Sequence, residues 1–210
     1  MDNLDDREQL ARIKKWLQEN GLSIVAGIVL GLGAVYGWRY WQEYRVTQSE
    51  IISAQLTEVV EQLDREQYEA GAKIAQELAD ANAGTLYAEM AQLLISRARV
   101  QQGLLDAAAE PLQALLKGGA SSQFRNIARI RLARIYLAQS KFDRVSALIS
   151  EPADQTYQRE FEELRGDVFF YKGELDKARA SYVQALALAS PGENTQLLQM
   201  KLDEIPAMGE

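Results

Sequence analysis

The sequence predicts an all-α chain: a single N-terminal transmembrane helix followed by an α-solenoid of about four helical hairpins. Three observations carry this. Residues 20–38 hold no charged side chain. The last third of the chain repeats its own pattern at an offset of 33 residues. No stretch alternates apolar and polar residues at period two, so no sheet is expected.

The segment before the uncharged run, residues 1–20, places Leu10, Ile13, Trp16 and Leu17 at helical spacing with Lys14 and Lys15 between them. It reads as a short amphipathic helix on a membrane surface, or as a cytosolic continuation of the anchor helix.

The run itself spans 19 residues between Glu19 and Arg39. As a helix it is about 28 Å long, close to the thickness of a bilayer core. It exceeds the apolar stretch of a signal peptide, and Gly37–Trp41 (GWRYW) is no small-residue cleavage site. Trp38, Tyr40 and Trp41 suit an aromatic belt at the water interface. The transmembrane helix is therefore assigned to 21–41. Arg7, Arg12, Lys14 and Lys15 precede the run, and Arg39 and Arg45 follow it. That bias places the N-terminus in the cytoplasm and exports residues 42–210, which in a bacterium means the periplasm. Gly27 and Gly31 form one GxxxG, and Gly33 and Gly37 a second. Such faces admit a partner helix, although glycine is frequent in membrane helices in any case.

Beyond the span, Arg131–Ile149 aligns with Arg165–Leu186. Ala133 falls on Gly166, Tyr136 on Phe169, Ser140 on Gly173, and Asp143 on Asp176. A weaker copy carries Gly103, Ala108 and Leu112, and the faintest surrounds Tyr68 and Gly71. Small residues at Gly166 and Ala178 leave room for two helices to approach, and Tyr182 and Ala185 seat the next one. A period near 34 with small crossing residues resembles the tetratricopeptide repeat. The usual aromatic and Leu before the small residue are absent, since Glu162 and Arg165 stand there. Helices are expected at 44–64, 67–81, 86–102, 105–117, 123–139, 142–150, 156–172, 175–189 and 193–204. Loops fall at Gly118–Ser122, Glu151-Pro152 and Ser190–Gly192.

Composition narrows the chemistry. There is no Cys and no His, which excludes thiol catalysis, Ser-His triads and Cys/His zinc sites. From Val46 onward 17 Lys and Arg face 24 Asp and Glu, a formal −7. Such a domain is repelled by phosphate backbones, so no nucleic acid partner is expected. Glu163 and Asp167, with Glu160 nearby, form an acidic group on one helix, read as dipole-compensating acids in its early turns and not as a catalytic pair. Arg125, Arg129, Arg131 and Arg134 read as a solvated, salt-bridged face before an anion site. No enzyme, cofactor or metal is expected. If the first helix of each pair lines a concave groove, Arg97, Arg134 and Asp167 occupy equivalent inward positions. Leu93, Ile130 and Leu137 then add apolar contacts, or else pack between repeats.

The stretch ending in Glu19–Gly21, the glycine-rich span closing on GWRYW, the block Leu164–Tyr182 and the closing Leu197–Ile205 together resemble the YfgM-type family of ancillary subunits of the bacterial SecYEG translocon. The resemblance covers essentially the whole chain. It implies a single-pass inner-membrane protein associated with SecYEG and with PpiD, a membrane-anchored periplasmic chaperone of the peptidyl-prolyl isomerase type. The implied role is handover of exported proteins to periplasmic chaperones. It also implies a link to an envelope-stress response regulator, which makes a tethered regulator acting through the cytoplasmic tail the alternative.

Overall fold

A computed structural model describes residues 2–152 and 154–206. The chain divides into two compact units, Met1–Ser53 and Ala54–Glu210. Among the described residues every regular element is helical: α1 (Asp2–Asp64), α2 (Tyr68–Ala81), α3 (Leu86–Gln101), α4 (Leu105–Lys117), α5 (Ser122–Ala138), α6 (Phe142–Ser150), α7 (Gln158–Tyr171), α8 (Leu175–Ala187) and α9 (Gln196–Asp203), with one 3₁₀ turn at Gln155–Tyr157. From α2 onward the helices follow the expected ranges to within about three residues. The helix expected at 44–64 is the last part of α1, running on from the preceding segment.

The first unit bears on the expected span only through its length and composition. No single helix among the described residues is long and apolar enough to cross a membrane. A bent pair, Lys14–Leu22 and Val25–Asp64, meets that test together at an angle of 46°. The assigned span of 21–41 therefore straddles the bend, and Gly21 stands beside it. Helices bend where Gly and Ser interrupt them. Of the amphipathic stripe expected before the span, Leu10, Ile13 and Leu17 lie outside the described side chains. Trp16 is exposed.

In the second unit each helix packs on the next, from α2 to α9, and α3, α5 and α7 also contact one another in series. That is the connectivity of stacked hairpins, whose exposed apolar faces only a neighbour can bury. The turns prove the repeat. Glu66, Gly103, Ser140 and Gly173 all have positive φ, between 56° and 76°. Each is followed by a residue near φ −86° and ψ 60°, namely Gln67, Leu104, Lys141 and Glu174. The amides of those four donate to the carbonyls of Gln62, Arg99, Tyr136 and Phe169, five residues back, at 2.8–2.9 Å. One helix-ending turn thus recurs four times, at spacings of 37, 37 and 33 residues. The first hairpin uses the end of α1: Leu56, Val59 and Leu63 are buried on one face, and Leu63 lies against Gly71 of α2.

The central core runs from α3 to α7, through Leu112, Ala128, Leu132, Ala133, Val145, Leu164 and Val168. A second cluster joins α8 to α9 through Tyr182, Ala185, Leu198 and Ile205. The predicted small-residue crossing is realised at Gly166: a Cβ there would lie 2.4 Å from the Tyr182 ring. Tyr182 cannot retreat, because it is buried and its hydroxyl donates to Asp167 at 2.8 Å.

Two outcomes follow for chemical unfolding of the full chain. Gly166→Ala overpacks the α7–α8 crossing and lowers stability by about 1–3 kcal/mol. Ser140→Gly relieves a left-handed backbone that disfavours a side chain, and raises stability by about 0.5–1 kcal/mol. A neutral Gly166→Ala would contradict the close crossing.

Candidate functional site: a cationic cleft between two hairpins

Arg97, Arg134 and Asp167 each precede the positive-φ residue of their hairpin by six positions, so they are equivalent in register. The structure brings the first two together and not the third. Arg97 on α3 and Arg134 on α5 line one cleft of about 290 Å³. Ser96, Val100, Leu105, Arg131, Ile135 and Ala138 also line it. Arg131 lies three residues before Arg134, one turn away on the same face. Its Nη1 donates to the Leu93 carbonyl at 3.2 Å, which fixes the guanidinium at the cleft. Burial, with Arg97 and Arg134 adding like charge, pushes Arg131 below its ordinary range. Arg97 pairs with Asp64 at 3.1 Å, between exposed side chains. Among the described residues no carboxylate lies within ion-pair distance of Arg131 or Arg134.

The expected basic stretch therefore splits in two. Arg129 is buried and donates to the carbonyls of Leu148, Glu151 and Pro152, tying α5 to the end of α6. Arg125 donates to the Ala120 carbonyl at 2.9 Å. Arg131 and Arg134 face the cleft. The apolar groove candidates do not: Leu93 and Ile130 are buried in the core and Leu137 packs against it, the inter-repeat alternative.

Asp167 sits in a buried network. Lys201 of α9 donates to Asp167 Oδ1 and Oδ2 at 2.8 and 2.9 Å and to Glu163 Oε1 at 2.6 Å. The Tyr182 hydroxyl completes the group. Burial opposes the Lys201 charge, but Asp167 and Glu163 outweigh it and hold the ammonium above its ordinary range. Arg179 of α8 pins the end of α9 by donating to the Ile205 carbonyl at 2.8 Å. The two carboxylates are thus occupied in fastening α9, while Glu160 pairs with Arg159 at 3.1 Å. Among the described residues no group of acids is arranged to hold a metal ion. Lys201 was not among the sequence candidates. Its signal was the interval of 34 residues from Asp167, one repeat period, which makes α9 stand where the first helix of a fifth hairpin would.

In the first unit a Cβ at Gly27, Gly31, Gly33 or Gly37 would meet nothing within 4 Å. At about 100° per residue the two glycine pairs lie on different faces of the helix. The Trp38 and Trp41 rings lie 5.3 Å apart, Arg45 stands 4.8 Å over Trp41, and Tyr40 is exposed by itself.

The second unit is an all-α stack of helical hairpins with a cationic cleft lined from α3, α4 and α5, the architecture of a helical repeat domain. The chain belongs to the tetratricopeptide repeat-like domain family, whose model matches residues 14–207. It is similar to proteins named ancillary SecYEG translocon subunit. The one from Haemophilus influenzae is 26% identical over 203 residues, covering 97% of this chain and 98% of that protein. The one from Escherichia coli is 23% identical over 201 residues, covering 96% and 97%. The one from Neisseria gonorrhoeae is 24% identical over 206 residues, covering 97% and 98%. No solved structure matches the chain.

Replacing Lys201 by Met leaves two carboxylates largely buried without their cation. The expected loss is about 2–3 kcal/mol, below that of a fully buried pair because Lys201 keeps some solvent contact. A raised amine pKa stabilises the fold fully below its unfolded value, 10.5, and ceases to as pH rises through the folded one. The stability gap between the two chains should stay flat from about pH 7 to 10 and close above it. A gap that widened at alkaline pH would contradict the network.

Proposed function

We propose that the chain is a non-enzymatic accessory subunit of a bacterial Sec translocon that binds proteins through its helical domain. The observation that carries this reading is the near-full-length similarity to proteins named ancillary SecYEG translocon subunit. The membrane placement draws on the first unit. Leu22, Val25, Val29, Leu30, Leu32 and Val35 are all exposed. A helix apolar on every side requires an apolar environment. In this reading residues 21–41 are the anchor, with Trp38, Tyr40 and Trp41 at the outer interface. Residues 1–20 are cytoplasmic and residues 42–210 periplasmic, following the excess of Lys and Arg before the span. The glycine pairs are where a neighbouring membrane helix comes close.

Anchoring beside the channel exit raises the domain's effective concentration there, so that modest intrinsic affinity suffices. The domain then hands emerging proteins to periplasmic chaperones, PpiD among them. Contact with an envelope-stress response regulator is assigned to the cytoplasmic tail.

Affinity purification of the intact chain from membranes in mild detergent, with mass spectrometry of what accompanies it, tests this directly. The reading predicts channel subunits together with a periplasmic chaperone. It also predicts that Gly31→Leu weakens channel recovery, since a large side chain fills the open face. Removing residues 1–20 should spare channel recovery. An intact chain that recovers no channel component overturns the proposal.

A further inference from the structure

We propose that the face of α1 just beyond the assigned span, 21–41, binds the headgroup of a phospholipid that carries a primary ammonium, the phosphatidylethanolamine class. This rests on the membrane placement proposed above and names the lipid the chain selects there.

Side chains spaced by fours along a helix form a ridge, and neighbouring ridges enclose a groove. On α1 one ridge carries Trp41, Arg45 and Ser49, and the ridge beside it carries Trp38, Val46 and Glu50. These residues line one shared concavity. Its end nearest the span is aromatic: the Trp38 and Trp41 rings lie 5.3 Å apart, and both are exposed. Such rings sit at the level of lipid headgroups. Arg45 stands one turn further out, about 6 Å along the axis. Its guanidinium carbon lies 4.8 Å over the Trp41 ring. Stacking occupies the flat face of a guanidinium and leaves the N–H groups at its edge to donate, in pairs, to a phosphate. Glu50 follows five residues later on the facing ridge. Among the described residues neither Arg45 nor Glu50 forms an ion pair.

The order of the groups selects the ligand. From the span outward the groove presents aromatic rings, then a cation, then an anion. A phospholipid presents acyl chains, then a phosphodiester anion, and, where the headgroup is an amino alcohol, a cation last. One such molecule meets all three. Phosphatidylglycerol offers no cation to Glu50. Phosphatidylcholine carries a trimethylammonium without an N–H to donate. The Trp41 face that could hold that group is covered by Arg45. Free phosphate gains nothing from the rings.

The test is native mass spectrometry of the full chain in neutral detergent. The probe is an equimolar mixture of dioleoyl phosphatidylethanolamine, phosphatidylcholine and phosphatidylglycerol. The proposal predicts that phosphatidylethanolamine is retained at least about threefold over either competitor, the scale of a solvent-exposed charge pair. Glu50→Gln should bring phosphatidylethanolamine and phosphatidylcholine to equal retention. Arg45→Ala should lower all three by about threefold or more, since each carries the phosphate. Arg65→Ala, which removes an exposed α1 cation outside the groove, should leave the pattern unchanged. All three substituted side chains are exposed, and an unchanged far-UV circular dichroism spectrum certifies each variant. Equal retention of phosphatidylethanolamine and phosphatidylcholine by the unaltered chain overturns the proposal. So does a Glu50→Gln chain that keeps the preference, or phosphatidylglycerol retained best. Alkaline carbonate extraction of the full chain from liposomes separates the two levels. A chain that stays in the bilayer but shows no lipid preference loses this inference alone. A chain that carbonate strips from the bilayer loses the membrane placement, and this inference with it.

Discussion

A pair of amphipathic helices cannot bury its outer apolar face alone, and in a stack of such pairs the last face is always left over. In this domain the remedy is α9. Leu198 and Ile205 close the cluster around Tyr182, and Lys201 bonds to Asp167 and Glu163 beneath it. The whole arrangement depends on α8 reaching α7 closely enough to set the Tyr182 hydroxyl on Asp167. Only the missing Cβ of Gly166 allows that approach. Two of the four segments that carry the family resemblance, Leu164–Tyr182 and Leu197–Ile205, are therefore the two halves of one fastening. Their role is to end the stack.

The same register position has two different outcomes along the stack. Between α7 and α9 it joins an acid to a base, and the pair is consumed in structure. Between α3 and α5 it sets Arg97 against Arg131 and Arg134, and among the described residues no carboxylate pairs with the last two. At these two gaps the charges differ: opposite and joined between α7 and α9, alike between α3 and α5. In a solenoid this is how a repeated scaffold acquires one distinctive place without any change of fold.

Much of this was legible beforehand. The Gly-rich and Pro-marked breaks located the loops, and the 33-residue self-similarity predicted the last two hairpins and the crossing at Gly166. The first hairpin was faint because its turn residue is Glu66, and the third turn uses Ser140. Both adopt positive φ without being glycine, so the usual marker is missing there. Asp167 was placed in the groove because its partner, Lys201, sits on a helix too short to display the repeat. Arg131 reads with Arg125, Arg129 and Arg134 as one basic face, since no local pattern separates a side chain that ties helices, such as Arg129, from one that faces a cleft. The helix expected at 21–41 lies within a pair bent by 46°, for which glycine content is the only local sign.

The central claim is that α3 and α5 form one shared cleft with Arg97 and Arg134 on facing walls. The chain has no native Cys, which makes a two-cysteine reporter clean. In the full-length Arg97→Cys/Arg134→Cys chain, a short bifunctional maleimide should link the two positions within one molecule rapidly under native conditions. The link should fail in denaturant. Crosslinks that form only between molecules, or only after unfolding, would contradict the cleft and with it the account of how this domain presents a binding site.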